Sequence, residues 1–327
     1  MEKSKRGLAI GILNGTMRDK ILRYALPVAA TGILGQLFNA SDIAIVGNFA
    51  EGDTVAAVAA VGANGPVIGL LLNIFIGIAL GANVVIANAI GRGDKETVSR
   101  AVHTSIVAAV LGGIIVGLLG QLLAEPVLSM LQVPEDVFPL ALKYMRIYLL
   151  GLPVIFLYNF EAAIFRSAGD TKTPLVALAL SGVLNVILNL FFVVVLNKTV
   201  DGVAIATVLA NVVSSVVLLR RLLRSELFIH VEFKNLRIDW KILWRILKIG
   251  VPAGIQGAVF SLSNIVVQSA INSLGKVTMA ASSAAFNVEI MAYYILNSFG
   301  QACTTFVGQN YGAGQIDRCR KALKLCL

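Results

Sequence analysis

The chain has 327 residues, of which 57% are hydrophobic and only 14% are charged, and it carries a formal net charge of +9. Soluble domains usually hold about 25% charged and 45–50% apolar residues, so this composition excludes a soluble globular enzyme, a disordered protein and a disulfide-stapled secreted module. Since a membrane-spanning helix needs about 20 apolar residues, the length allows about eight to ten such helices. We therefore expect an all-α polytopic membrane protein.

Eight apolar stretches, separated by short polar segments, are each long enough to cross a bilayer as a helix. In chain order these spans 1 to 8 are Ile21–Gly47, Gly65–Ile90, Val98–Leu123, Val137–Phe165, Pro174–Leu196, Val203–Leu219, Ile242–Ile271 and Met279–Asn310.

The basic residues are sorted by side of the membrane, which accounts for the net charge without a nucleic-acid partner. With the N-terminus placed inside, 23 of the 27 Lys and Arg residues lie inside, and the other four are Lys143, Arg146, Lys198 and Lys276. Such an imbalance predicts the orientation of a membrane protein. We expect a protein of the inner or plasma membrane, with a basic cytoplasmic arm at residues 1–20 and a cytoplasmic connector at residues 224–241.

The first two spans recur as spans 7 and 8. The segment ILRYALP at 21–27 aligns with ILKIGVP at 246–252, and GRG at 91–93 aligns with GAG at 312–314. Both copies begin on the same side, which indicates a parallel repeat about an axis along the membrane normal. We therefore expect a six-helix lobe at residues 21–223.

Residues 242–327 would then supply helices 7 and 8 and the opening of helix 9 of a second lobe. Completing six helices there needs roughly another 120 residues. We accordingly expect the chain to be a C-terminally truncated part of a twelve-helix protein of about 450 residues.

Three of the 18 acidic residues lie within spans, namely Asp42, Glu161 and Glu289. A carboxylate inside a bilayer costs about 2.5–3.5 kcal/mol even on lenient insertion scales, so each is a functional candidate. Glu161 stands five residues before Arg166 near the end of its span, which favours an interfacial or paired acid. Asp42 is either an acid near the outer helix end or a functional group, and Glu289 either lines a cavity or serves structure.

Polar side chains at the same depth as Asp42 favour a functional role for this carboxylate. Asn185 and Asn189 share one face of span 5, four residues apart, and Thr207 stands early in span 6. A carboxylate, two carboxamides and a hydroxyl at one level can hold Na⁺ or form a titratable proton site. The alternative is that the amides and the hydroxyl only bond helix to helix. Candidates for polar lining of a substrate cavity are Asn73, Gln256, Asn264, Glu289 and Tyr293.

Motifs of enzymes and of nucleotide-driven pumps are missing from the sequence. The three Cys and two His residues have no metal-ligand spacing, and no GxxxxGK[ST] loop occurs. We expect no catalytic residues, no cofactor, no structural metal, no nucleotide and no nucleic acid. Transport would then have to be driven by an ion gradient.

Several segments are similar to the MATE (multidrug and toxic-compound extrusion) family, within the multidrug/oligosaccharidyl-lipid/polysaccharide exporter superfamily. They are Pro27 with Asp42, RSAGDTKTP at 166–174, Asn185 to Asn189, GVAIAT at 202–207, and FVGQNYGAG at 306–314. The resemblance covers essentially the whole chain. It implies two six-helix lobes around a central cavity, a monomer in the lipid bilayer that exports small-molecule drugs or organic cations in exchange for H⁺ or Na⁺ by alternating access.

By the same resemblance, Asp42 matches the carboxylate of the family's first lobe, with Asn185, Asn189 and Thr207 as its companions in coupling. Some prokaryotic members carry Asp where this chain has Asn189, and members with a site in the second lobe use a carboxylate in span 7, which has none here. The resemblance therefore places coupling in the first lobe.

Two other functions stay open at this point. A flippase for lipid-linked oligosaccharide or peptidoglycan precursors belongs to the same superfamily, although such flippases tend to need cationic residues in the cavity, and here almost every Lys and Arg lies at a membrane edge. An intramembrane enzyme is the alternative from another class, and it would require paired catalytic residues at one depth.

Overall fold

The computed structural model describes residues 11–50, 52–225, 228–272 and 276–327, apart from the side chains of residues 265, 268, 269, 272, 276–281, 283, 284, 287 and 288. Within these ranges the chain is helical and contains no strand. The helices are α1 Met17–Phe49, α2 Thr54–Gly91, α3 Lys95–Met130, α4 Phe138–Ser167, α5 Lys172–Leu190, α6 Val200–Leu223, α7 Trp240–Asn272, α8 Lys276–Gly312 and α9 Ile316–Cys326. A π-helical turn, Phe191–Val195, extends α5, and a 3₁₀ turn, Phe233–Asn235, precedes α7.

Seven described helices, α1 to α7, are long and apolar enough to cross a membrane. This confirms the all-helical, multi-span expectation for spans 1 to 7. Span 8 falls in α8, whose 37 residues exceed the roughly 20 that a crossing needs, but several side chains of its first half lie outside the description. Most of the expected arm, residues 1–10, also lies outside the described residues.

Aspartates begin four of the helices. Asp53, Asp94, Asp170 and Asp239 each accept hydrogen bonds from backbone N–H groups in the first turn of the helix that follows, which satisfies donors that the helix leaves free. The hydroxyl and N–H of Thr97 also lower the pKa of Asp94 from its ordinary value. Short polar segments can therefore reverse the chain between long apolar helices.

Helix α4, the most buried of the seven, packs against α2, α3 and α6, and α1 packs against α5 and α2. Successive helices run in opposite directions, so α1, α3, α5 and α7 begin on the side where the N-terminal segment enters α1, which we refer to as the arm side. The opposite side is the far side. Two apolar clusters fill the interior, one around Phe160 towards the arm side and one around Phe156 towards the far side.

Helices α7 and α8 dock against α1 and α2, and we refer to this contact as the seam. At the seam the backbones of α2 and α7 touch: a Cβ atom added to Gly77 would lie 2.2 Å from the backbone nitrogen of Gly254, and one added to Gly81 would lie 2.3 Å from the carbonyl oxygen of Ile246. Small residues allow such close approach between membrane helices. The seam therefore depends on glycines facing the opposite backbone.

Candidate functional site

Asp42 lies in the far half of α1, seven residues before the helix ends, and its side chain is buried. Asn189 of α5 donates from Nδ2 to Asp42 Oδ1 at 2.5 Å, and Thr207 of α6 donates from Oγ1 to Asp42 Oδ2 at 3.1 Å. Both carboxylate oxygens are therefore held by groups on neighbouring helices.

Asn185 completes the arrangement one turn earlier on α5. Its Oδ1 accepts from Asn189 Nδ2 at 3.2 Å, and its Nδ2 donates to Thr207 Oγ1 at 3.3 Å. The structure thus brings together all four residues that the sequence placed at one depth. We refer to Asp42, Asn185, Asn189 and Thr207 as the Asp42 cluster.

Close packing of α1 against α5 sets this geometry. A Cβ atom added to Gly182 of α5 would lie 1.8 Å from the ring of Phe38 of α1, so the ring rests directly on the glycine. Asn185 and Asn189 lie three and seven residues after Gly182 on α5, and both side chains are buried. The glycine lets α1 approach closely enough for Asp42 to reach Asn189.

Within the described part of the chain, no cation pairs with Asp42. Two far-side basic residues, Lys143 of α4 and Lys198 before α6, bind Asp201 Oδ2 at 2.9 and 3.7 Å. In addition, Asn189 Oδ1 is buried and has no hydrogen-bond partner among the described residues. The cluster therefore offers unpaired negative charge and a spare carbonyl oxygen at one point.

Such a set of oxygens suits a hard cation, which prefers carboxylate, amide and hydroxyl ligands. It equally suits a proton, because burial penalises the charged form of a lone carboxylate. Among the described residues no group of three or more His, Cys, Asp and Glu side chains is placed to hold a metal ion.

Two tyrosines that the sequence analysis did not single out lie beside the cluster. Tyr144 and Tyr148 of α4 interact electrostatically with Asp42, and their rings stack with centroids 6.2 Å apart. Their spacing of four residues, which places both on one face of span 4, is the signal that could have identified them. They make an aromatic wall next to the carboxylate.

Two of the five residues considered for a substrate cavity contact side chains of α7. Asn73 of α2 donates to Ser261 Oγ of α7 at 2.7 Å across the seam, and Tyr293 of α8 stacks on Phe260 of α7 at 5.7 Å. The remaining three, Gln256, Asn264 and Glu289, are exposed side chains of α7 and α8. Asn73 and Tyr293 therefore connect helices, whereas for the other three the structure shows exposed side chains.

The interpretation of Glu161 as an interfacial acid is wrong. Its side chain is 0% exposed, and Arg166 donates to Gln301 of α8 at 2.9 Å instead of pairing with it. The prediction failed because five residues along a helix turn the two side chains to different faces, which sequence distance alone does not reveal.

A second buried polar group lies across the seam, nearer the arm side. The hydroxyls of Tyr24 and Thr305 are 2.7 Å apart, and Thr305 donates to Asn83 Oδ1 at 3.0 Å. Nearby, Gln309 donates to the carbonyl oxygen of Ser167 at 2.6 Å. Neutral hydrogen bonds thus connect α8 to α1, α2 and α4.

The family model MatE matches residues 27–191 and 252–327. The chain therefore belongs to the MatE family. Both parts of the match include elements of the geometry above: Asp42, Asn185 and Asn189 lie in the first, and Gly254 of α7 and Thr305 of α8 lie in the second.

Curated relatives cover nearly all of this chain but only part of their own length. The probable multidrug resistance protein YoeA of Bacillus subtilis is 29% identical over 92% of this chain and 66% of its own length. The probable multidrug resistance protein NorM of Thermotoga maritima is 26% identical over 91% and 64%. The FAD transporter of Shewanella oneidensis is 24% identical over 97% and 70%. The chain thus spans about two thirds of the length of these transporters, and none of the three is named as an enzyme.

Solved structures share the fold. A MATE protein in the bent conformation superposes with a TM-score of 0.88 at 24% identity, covering 96% of this chain and 70% of the other. An outward-facing multidrug resistance MATE transporter of the MOP superfamily gives the same TM-score at 23% identity, covering 97% and 70%. The fold is that of MATE transporters.

Proposed function

We propose that this chain belongs to a secondary multidrug efflux transporter, which exports cationic or amphipathic compounds in exchange for H⁺ or Na⁺. In this proposal residues 21–223 form one lobe and residues 242–327 the start of the other, joined by the connector at 224–241. The transporter acts as a monomer in the inner or plasma membrane with its N-terminus in the cytoplasm.

The observation that carries the proposal is the Asp42 cluster. A buried carboxylate without a cationic partner in the described residues has a strong need for a positive ligand. Its two oxygens are held in place by Asn189 and Thr207, so the carboxyl group is oriented before a cation or proton binds.

Asn189 lets the cluster accommodate both states of the carboxyl group. As placed, its Nδ2 donates to the charged carboxylate. A half-turn of the amide would instead present Oδ1 to a protonated Asp42 or to Na⁺, because the two ends of a carboxamide have opposite hydrogen-bonding roles. One side chain can thus follow the loading of its neighbour.

Coupling then follows from opposite preferences of the two ligands. Binding of H⁺ or Na⁺ at Asp42 would favour one arrangement of the lobes and binding of the drug the other, which is population shift between two states. The seam supports this role, because its hydrogen bonds join mainly neutral groups, with the bond from Arg166 to Gln301 as the charged exception.

A cationic substrate is favoured over an anionic one by where the charges lie. Among the described Lys and Arg residues, most stand at helix ends or in the connector, and Arg166 at the seam donates to Gln301. An anionic lipid-linked precursor would need cations within the cavity. Since one relative is named an FAD transporter, FAD belongs in the substrate panel as the anionic comparison.

The test is ethidium efflux from cells that express Asp42→Asn in the full-length protein at wild-type membrane levels. The change removes the charge and nearly keeps the shape, so we expect folding to survive and gradient-driven efflux to fall by at least about 100-fold. Asp136→Asn, at an exposed far-side position, is the matched control and should behave as wild type.

Two further measurements identify the coupling ion and define the result that would overturn the proposal. Collapsing the Na⁺ and H⁺ gradients separately should abolish efflux in only one case, which names the coupling ion. Wild-type efflux by Asp42→Asn at matched expression would overturn the coupling role of the cluster.

A further inference from the structure

A second carboxyl group is buried in the first six helices, away from the Asp42 cluster. Glu161 lies in the arm-side half of α4 with its side chain 0% exposed. Its Oε2 accepts from Ser215 Oγ of α6 at 3.0 Å, whereas its Oε1 is buried and has no partner among the described residues. One oxygen is therefore anchored and the other is free to bind a proton.

The surroundings provide no positive charge to pair with Glu161 in the described part of the chain. Arg166, on the same helix, is directed to Gln301, and α2 carries no charged residue at all between Thr54 and Gly91. On α6 the nearest basic residues are Arg220 and Arg221, in its last turn.

The other neighbours do not supply a charge either. On α3, Arg100 binds Asp239 and His103 binds the backbone N–H of Glu232, both in the connector. On α5, Lys172 stands at the first position of the helix. The titratable group in electrostatic contact with Glu161 is Tyr158, one turn earlier on α4, whose hydroxyl is also buried and without a partner among the described residues.

One face of α6 joins this carboxyl to the Asp42 cluster. Thr207, Asn211 and Ser215 follow one another at four-residue spacing, which aligns them along a helix. Thr207 bonds Asp42 at one end and Ser215 bonds Glu161 at the other. At 1.5 Å per residue, the eight residues between the two ends correspond to about 12 Å along the helix.

The middle of this face is polar and partly accessible. Asn211 donates to the carbonyl oxygen of Thr207 at 2.8 Å, and Ser214 donates to the carbonyl oxygen of Asn211 at 3.0 Å. Asn211 is half-buried, whereas Ser214 and Ser215 are fully buried. Water beside Asn211 could therefore bridge hydroxyl groups that are otherwise enclosed by apolar helices.

We propose that Glu161 is a second proton-binding residue of this lobe, which exchanges a proton with Asp42 along the Thr207–Asn211–Ser215 face of α6. The proton leaves the Asp42 carboxyl group, passes through water and hydroxyl groups, and binds Glu161 Oε1. Asp42 then carries the negative charge and Glu161 is neutral, so no net charge is created inside the lobe. The inference rests on the proposed antiport and names H⁺ as the ion that moves between the two carboxyls.

The direct test is infrared difference spectroscopy of the purified full-length protein, comparing pH values in H₂O and D₂O. Wild type should give two carbonyl bands from protonated carboxylic acids that shift in D₂O. Glu161→Gln should lose one of these bands and Asp42→Asn the other, while Glu135→Gln, at an exposed position, should lose neither.

Transport provides the second readout. In proteoliposomes driven by a pH gradient, Glu161→Gln should slow ethidium transport by at least about tenfold, as for removal of a proton-transfer group, with ethidium affinity changed less than about twofold. Ser215→Ala should shift the Glu161 band without removing it, because it deletes the hydrogen bond and leaves the carboxyl. This variant serves as the test if Glu161→Gln fails to fold.

The results that would contradict the role of Glu161 differ from those that would contradict the proposed antiport. If Glu161→Gln keeps both bands, or transports at the wild-type rate under the pH gradient, Glu161 does not carry the proton even where Asp42→Asn is inactive. If Ser215→Ala leaves both bands unshifted, the assigned carboxyl is not Glu161. If Asp42→Asn is itself fully active, the coupling proposal fails and the proton route fails with it.

Discussion

The Asp42 cluster and the polar group at the seam are both buried and hydrogen-bonded, yet they differ in charge and in what they connect. The cluster holds a carboxylate among α1, α5 and α6, inside one set of six helices. The seam group of Tyr24, Asn83 and Thr305 is neutral and joins that set to α8.

In the proposed antiport, this difference separates two tasks. A charge that must gain and lose a ligand is enclosed where the helix partners stay together, so its surroundings do not have to break. The contact that would open is built mainly from neutral bonds, each of which contributes only about 1 kcal/mol net, or about 0.6 in a membrane. The bond that Arg166 donates to Gln301 is the charged exception.

The largest effect should come from a substitution that keeps the seam apart. Gly81→Val places side-chain atoms where a Cβ alone would lie 2.3 Å from the carbonyl oxygen of Ile246. Overpacking of this kind costs about 1–3 kcal/mol, so we expect the closed seam to become about 5- to 150-fold less populated. Crosslinking between cysteines introduced on α2 and α7 measures the closed population.

Gly69→Val on the same helix is the control, because nothing lies within 4 Å of a Cβ at that position. Equal crosslinking in Gly81→Val and Gly69→Val would mean that the glycine contact does not determine closure.

Removing single hydrogen-bond partners of Asp42 should lower the affinity for the coupling ion by different amounts. Asn189→Ala deletes the 2.5 Å bond to Oδ1 and Thr207→Val deletes the 3.1 Å bond to Oδ2, whereas the hydrogen bonds of Asn185 at 3.2 and 3.3 Å join those two partners. Bonds to charged groups contribute about 1.5–3 kcal/mol. We expect affinity for the coupling ion to fall by about 10- to 100-fold for the first two and less for Asn185→Ala.

The measurement is the concentration of the coupling ion that gives half-maximal ethidium efflux. A larger defect in Asn185→Ala than in Asn189→Ala would contradict the contact order of the cluster.

Smaller effects are expected from the neutral bonds of the seam. Thr305→Val removes the contacts to Tyr24 and Asn83 together, so the closed state should lose about 1–2 kcal/mol, or about 5- to 30-fold in population. Tyr24→Phe removes one of the two contacts, and the double variant should add little to Thr305→Val. Additive effects in the crosslinking assay would mean that the two hydroxyls do not act together.

The smallest effect on transport should come from the connector. His103 of α3 accepts the backbone N–H of Glu232 at Nε2, and Thr104 accepts that of Asp239. His103→Ala leaves the N–H of Glu232 without this acceptor, so limited proteolysis within residues 228–239 should be faster while efflux stays within about twofold. Proteolysis at the wild-type rate would show that Thr104 and the Arg100–Asp239 pair alone hold the connector.

The sequence predicts those features of the Asp42 cluster that depend on position along a single helix, and not those that depend on contacts between helices. The depth of Asp42, Asn185, Asn189 and Thr207 follows from their positions along apolar spans, since a helix rises a fixed distance per residue. Their mutual contact does not follow, because it requires particular rotations of three helices about their axes. The resemblance to the MATE family implies the same grouping of these four residues.

The seam contacts and the partner of Glu161 could not be predicted from the sequence. Gly77 and Gly81 are two of many small residues in span 2. Only the position of α7 shows that these two glycines, and not the others, face its backbone closely. Glu161 was interpreted through its neighbour in sequence, Arg166, although its partner is Ser215, 54 positions away.

The sequence by itself determined the class of the protein, its first seven helical spans and the polar residues along them. These features depend on hydropathy, charge and spacing, which act locally along the chain. Only the tertiary structure decided which helix faces touch, which buried acid lacks a cation in the described residues, and which bonds join α8 to the first helices. Those outcomes depend on side-chain shape at helix contacts, where one glycine or one turn of a helix changes the partner.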